Sequence, residues 1–254
     1  MRRFLTISAA AAAGLGVIAA LGLAAGPQGG GPPELRPVHV QGKTIAPGVK
    51  MTVHVFYGKK NGPGGRPAPS GDACTANVDT QTAYASFGKA QTVRMDFRLD
   101  DTFAPDSRFA TAVGRSFDTW NAAIGGSSYF TTSPGVAEGG PSDDGVNVVG
   151  WARLVPKNVL AATWTYTDAA TGRVTGADVF YNTSQKWSVL SGCNSESRFD
   201  IENIGTHELG HVLALDHVSD PGKQATMYPS APAGEVKKRS LTDGDILGVK
   251  ESLK

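Results

Sequence analysis

The stretch that decides the reading is His207-Glu208-Leu209-Gly210-His211-Val212-Leu213-Ala214-Leu215-Asp216-His217. Residues four apart on a helix share a face. A helix here therefore lets His207 and His211 present two imidazole nitrogens to one metal ion. Glu208 sits beside the first of them and reaches a water on that ion without being a ligand itself. His217 is too far along to bind the same ion from a continuing helix, so the chain must turn sharply after His211. Three protein ligands leave a fourth position for water. That is the open geometry of a catalytic zinc, and a structural zinc has four protein ligands.

Working outward, Phe199 to about Ala214 reads as the helix carrying the two histidines, with Asp200 as its cap. Leu241–Leu253 reads as a C-terminal helix capped by Thr242 or Asp243. Pro105–Ala123 reads as an amphipathic helix with Phe109, Val113, Phe117 and Trp120 on one side, capped by Asp106 or Ser107 and ended by Gly125-Gly126. Strands are expected at Gln91–Leu99, Val146–Trp151, Ala161–Thr167 and Val174–Tyr181, the last two joined by a hairpin turn over 167–172. The fold class is α+β. Further upstream, residues 49–57 alternate as a strand, set between the Pro/Gly-rich stretches 26–48 and 58–71. The sequence leaves open whether this strand belongs to the main domain, to a short pro-segment or to a separate ribbon.

The N-terminus supplies the compartment. Arg2 and Arg3, an apolar run from Phe4 to about Leu23, and the small residues Ala24, Ala25 and Gly26 make residues 1–25 a signal peptide. A membrane anchor is the alternative reading of that run. The expected organisation is 1–25 signal peptide, 26–73 arm or short pro-segment, and 74–254 catalytic domain. The expected product is secreted, monomeric and without stable membrane association once the signal is cut. The formal net charge of +1 over 254 residues gives no reason to expect nucleic acid as a partner. The two cysteines, Cys74 and Cys193, fit one disulfide in an oxidising compartment, adding about 3–5 kcal/mol by loop closure.

The metal-binding stretch resembles the metzincins, and their matrixin branch in particular. That branch reads His-Glu-x-Gly-His-x-x-Gly-x-Asp-His, and this sequence departs from it only at Ala214. The family's glycine permits the turn toward the third ligand. An alanine there with positive φ costs about 1–2 kcal/mol. Ala225-Thr226-Met227-Tyr228-Pro229 is similar to the matrixin methionine turn, in which the methionine floors the metal site. Leu241–Val249 resembles the start of the last matrixin helix, and Asn147–Trp151 with Ala177–Asn182 resembles the sheet of secreted bacterial matrixins. The resemblance implies a metzincin fold, a twisted mixed sheet with an active-site helix, a backing helix and a C-terminal helix. It also implies one zinc held by His207, His211 and His217, with Glu208 as general base and Met227 beneath.

Its expected activity is endopeptidase cleavage of protein or peptide, with substrate antiparallel to an edge strand, either Val174–Tyr181 or Leu160–Thr165. A zinc hydrolase of non-protein amides or cell-wall peptides, and a non-catalytic zinc-binding protein, are the alternatives. Of the five histidines, none falls between residues 55 and 206, so the second zinc of animal matrixins is not expected. Cys74 lacks the family's inhibitory cysteine context. Calcium ligands are sought among Asp143, Asp144, Asp168 and Asp178, though each taken singly reads better as an ordinary turn carboxylate. His39 and His54 read as surface residues of the arm, and Lys237-Lys238-Arg239 as a solvated loop.

Overall fold

A computed structural model describes residues 31–59, 82–126, 128–136, 139–192, 197–219 and 225–254. The expected signal peptide and the Cys74–Cys193 pair lie outside the described residues. The chain orders its elements as β1 (Glu34–Leu35), β2 (Val40–Ala46), β3 (Val49–Gly58), β4 (Met95–Leu99), α1 (Phe109–Ala123), β5 (Phe130–Pro134), β6 (Asn147–Leu154), β7 (Val159–Asp168), β8 (Val174–Asn182), β9 (Trp187–Ser188), β10 (Phe199–Asp200), α2 (Ile201–Val212), β11 (Ser230–Ala231) and α3 (Asp243–Ser252). This is an α+β arrangement around one mixed sheet. Its main path runs β11-β3-β7-β8-β6-β4-β5, with β1 on β6 and β2 on β3. The neighbours β8, β6, β4 and β5 run parallel. β7 lies antiparallel to both β8 and β3.

The strand sequences explain the layers. β4 alternates, with Met95, Phe97 and Leu99 buried and Asp96 and Arg98 exposed, because one of its faces meets α1. β7 is buried along nearly its whole length and reads as a continuous apolar and threonine run. It has a partner on each edge and a core on each face. Phe56, Trp151, Ala161, Val179 and Tyr181 join the helix-side core with α1 and α2. Val53, Val55, Ala162, Trp164 and Phe180 form the core of the opposite face. Val93, expected inside β4, is instead exposed, because the strand starts only at Met95, where its N–H reaches the Tyr129 carbonyl.

Caps fix the helices. The Asp200 carboxylate accepts from Asn203 N–H at 2.8 Å and starts α2 as expected. Thr242 and Asp245 form a reciprocal capping box on α3. Asp106 does not cap α1. It binds Arg108 instead, with a side-chain contact of 2.6 Å that lowers its pKa to about 2. Helices α1 and α2 approach closely at Gly205, where a Cβ would fall 2.5 Å from the Tyr181 hydroxyl and 2.8 Å from Ser116 Oγ. Trp120 Nε1 donates across this contact to the Thr206 carbonyl at 2.8 Å.

Residues 49–57, whose placement the sequence left open, lie in the main sheet. β3 pairs with β7 from Val49↔Asp168 to Tyr57↔Val159.

Candidate metal centre

The Nε2 atoms of His207, His211 and His217 form a triangle with 3.2 Å on each side. A tetrahedral zinc with bonds near 2.0–2.1 Å holds its ligand nitrogens about 3.3–3.4 Å apart. The opposite nitrogens explain why these atoms face one another. His207 Nδ1 lies 2.6 Å from the Thr226 carbonyl and His211 Nδ1 2.8 Å from the Leu215 carbonyl. A carbonyl only accepts, so each Nδ1 carries the proton and each Nε2 is left as a lone pair. Converging lone pairs repel unless a cation lies between them. Burial, and for His211 the neighbouring His54 next, holds the pKa of His207 and His211 well below the usual histidine value. Burial and then His39 lower His217 to about 4. All three rings are therefore neutral at neutral pH, as metal binding requires.

The turn to His217 runs through Ala214, which has φ +62° and is the one non-glycine residue with positive φ among the described residues. Its strain is held by hydrogen bonds on both sides. Leu215 N–H donates to Gly210 O at 3.0 Å, Phe87 N–H to Ala214 O at 3.1 Å and Asp216 N–H to Ala85 O at 2.8 Å. Residues 85–87 are thus a brace for the third ligand. Beneath the triad, Met227 is fully buried against α2. A Cβ at Gly210 would sit 2.3 Å from its sulfur, which is why the helix carries glycine there.

Glu208 is fully buried. Thr163 Oγ1 donates to its Oε2 at 2.5 Å, while Oε1 has no hydrogen-bond partner. Burial raises the carboxyl pKa to about 8, partly offset by Thr163.

Two surface expectations are corrected here. His54 is fully buried, its ring lying on His211 with centroids 3.9 Å apart and planes 8° from parallel. Strand alternation puts residue 54 on the same face as Phe56, and that face meets α2. Phe56 itself packs on His207 at 4.1 Å. His39 is exposed as expected, yet its ring stacks over His217 at 6.4 Å. Lys237 and Lys238 are buried rather than solvated. Lys238 Nζ donates to Glu235 at 2.7 Å, and Arg239 grips Asp200 with bonds of 2.8 and 2.6 Å. Lys237 and Lys238 share the Glu235 carboxylate, and Arg239 has that of Asp200.

Three of the four carboxylates considered for calcium accept N–H groups. Asp168 holds its hairpin through Thr171 N–H at 2.7 Å, and Asp178 accepts from Ser142 and Val148 N–H. Asp144 accepts from Val146 N–H.

Residues 155–253, which hold β7, α2, the triad and the methionine turn, match the Matrixin family (Peptidase_M10). Over these residues the chain is similar to the matrixin branch of the metzincins. It is 31% identical over 169 residues to Metalloendoproteinase 1 of Glycine max, an alignment covering 61% of this chain and 46% of that protein. It is 33% identical over 78 residues to Neutrophil collagenase of Homo sapiens, covering 31% and 15%. It is 31% identical over 96 residues to human Matrilysin, covering 38% and 32%. The chain spans less than half the length of these curated relatives. The likeness to matrixins implies a zinc cofactor, and the histidine triangle fits one.

Proposed function

We propose that this matrixin-like chain is a secreted, monomeric zinc-dependent endopeptidase with one zinc per chain. The observation that carries the reading is the triangle of neutral Nε2 atoms beside a buried carboxylate with one oxygen committed and one free.

His207, His211 and His217 would hold the ion. When bound, zinc supplies Lewis acidity toward a water and toward the scissile carbonyl. The chain's own groups do the rest. The Thr163 hydroxyl fixes Oε2 of Glu208 and leaves Oε1 to take the proton of the attacking water. Its raised pKa suits Glu208 to hold that proton and pass it to the leaving nitrogen. The carbonyls of Thr226 and Leu215 keep two of the ligand rings in one tautomer throughout. Met227 and Gly210 keep the floor of the site rigid.

The test is mass-spectrometric mapping of new termini in a proteome digest treated with zinc-loaded protein, intact or processed, with a chelator and Glu208→Gln as controls. Peptide-bond cleavage that both controls abolish is expected. Equal cleavage by the Glu208→Gln variant overturns the role of Glu208. Hydrolysis confined to non-protein amides overturns the substrate class.

A further inference from the structure

His211 enters the metal site from α2 with one tether at its ring edge, the 2.8 Å contact of Nδ1 with the Leu215 carbonyl. That contact sets the tautomer. It leaves the tilt of the ring open, because rotation of an imidazole about its bond to Cβ has a broad minimum. The tilt matters here. The Nε2 atoms of His207, His211 and His217 stand 3.2 Å apart, and without an ion their lone pairs repel. Some contact must hold the His211 ring against that repulsion.

One face of the ring is covered by His54, with centroids 3.9 Å apart and planes 8° from parallel. His54 also packs on Phe87 at 4.7 Å, and Phe87 belongs to the brace that holds Ala214. The His54 backbone is fixed by its place in the β3–β7 register, opposite Thr163. Thr163 is the residue whose hydroxyl reaches Glu208. One cross-strand pair thus touches both Glu208 and a metal ligand. His54 Nδ1 lies 3.5 Å from Asp216 Oδ1, the same oxygen that accepts the His217 N–H at 2.7 Å.

His54 is not itself a ligand in this geometry. A coordinating lone pair lies in the plane of its own ring. In a nearly parallel stack the lone pairs of His54 run alongside those of His211 and not toward an ion in the His211 plane. Neither ring nitrogen of His54 has a hydrogen-bond partner, so the ring acts through its face.

We propose that His54 is a positioning residue of the metal centre, its ring face fixing the plane of His211 and so the direction of that ligand's lone pair. The role belongs to a flat ring at position 54 and not to an imidazole as such. It rests on the zinc site of the endopeptidase reading above and on no step of its catalysis.

The test is zinc affinity, measured by chelator competition on the full chain as wild type, His54→Phe and His54→Leu. His54→Phe keeps the stacked face and should bind zinc nearly as tightly as the wild type. His54→Leu fills the space without a flat face and should bind about tenfold more weakly, the lower end of what groups contacting a metal ligand contribute. Visible absorption of the cobalt-loaded proteins should follow the same order, with the His54→Phe bands matching wild type and the His54→Leu bands shifted. Thermal melting of the metal-free proteins should not separate the two variants.

Equal affinity for His54→Leu and wild type overturns the proposal, and His54 is then core packing alone. Equal losses in both variants overturn it too, since a flat face is then not what matters. So does a weaker His54→Leu whose cobalt spectrum matches wild type, because the ligand plane has not moved. A wild type that binds zinc and cleaves no peptide defeats the endopeptidase reading and leaves the role of His54 standing. One that binds no zinc overturns both.

Discussion

Strands β3 and β8 flank β7 on opposite edges, both antiparallel to it, and they do different work. The buried side chains of β8 end in the two cores, Val179 and Tyr181 toward the helices and Phe180 toward the other face. β8 is tied further inward by β6. β3 also buries side chains on both faces, yet those facing α2 are a histidine and a phenylalanine set against metal-site rings. Its outer edge meets only β2 and the two-residue β11. Equivalent hydrogen bonding to the same strand thus packs apolar cores on one edge and sets a histidine and a phenylalanine against the metal-site rings on the other. What separates them is what lies beneath each strand.

The sharpest way to break this comparison is to truncate one aromatic on each side. Phe180→Ala should cost about 3–5 kcal/mol of global stability by emptying a core position, read as a lowered melting temperature. Phe56→Ala empties a position in the helix-side core, so it should cost a similar amount, and it should also weaken zinc affinity measured by chelator competition, which Phe180→Ala should leave unchanged. Equal zinc affinity of the two variants would mean that Phe56 serves packing alone. Next in size is Gly210→Ala, where the new Cβ meets the Met227 sulfur. About 1–3 kcal/mol of stability should be lost, together with zinc affinity measured by chelator competition, while both β7 partners remain paired.

Ala214→Gly works in the other direction. Relief of the positive φ should raise stability by up to about 1 kcal/mol, offset in part by unfolded-state entropy.

The smallest effect is a change of slope. On the β8 side, burial raises Asp178 to about 7 from 3.8. A carboxyl raised in the folded state adds stability that is fully present below its unfolded value and lost as pH rises through the folded one. Melting of the wild type relative to Asp178→Asn should therefore favour the wild type less and less between about pH 4 and pH 7. Parallel curves would show that Asp178 enters the fold already ionised.

Much of the site is legible because it is local. The four-residue spacing of His207 and His211, the adjacent Glu208, the cap at Asp200 and the strained turn at Ala214 are all properties of one helix and its exit. A helix's periodicity settles which of its residues share a face. Alternation likewise predicts that β3 exists and that His54 and Phe56 share a side. It cannot say what that side faces. Thr163 on Glu208, residues 85–87 behind the Ala214 turn, and His54 over His211 join segments far apart in sequence. The last of these follows from which strand takes the edge of β7, and the first two from how α2 and its exit pack on the sheet and on residues 85–87. A strand's backbone donors and acceptors are the same whatever its partner, so the choice is made by burial on both faces at once. The sequence by itself determined that three histidines and a glutamate could meet at one metal. Only the tertiary structure decided that the chain's own β3 lies across them.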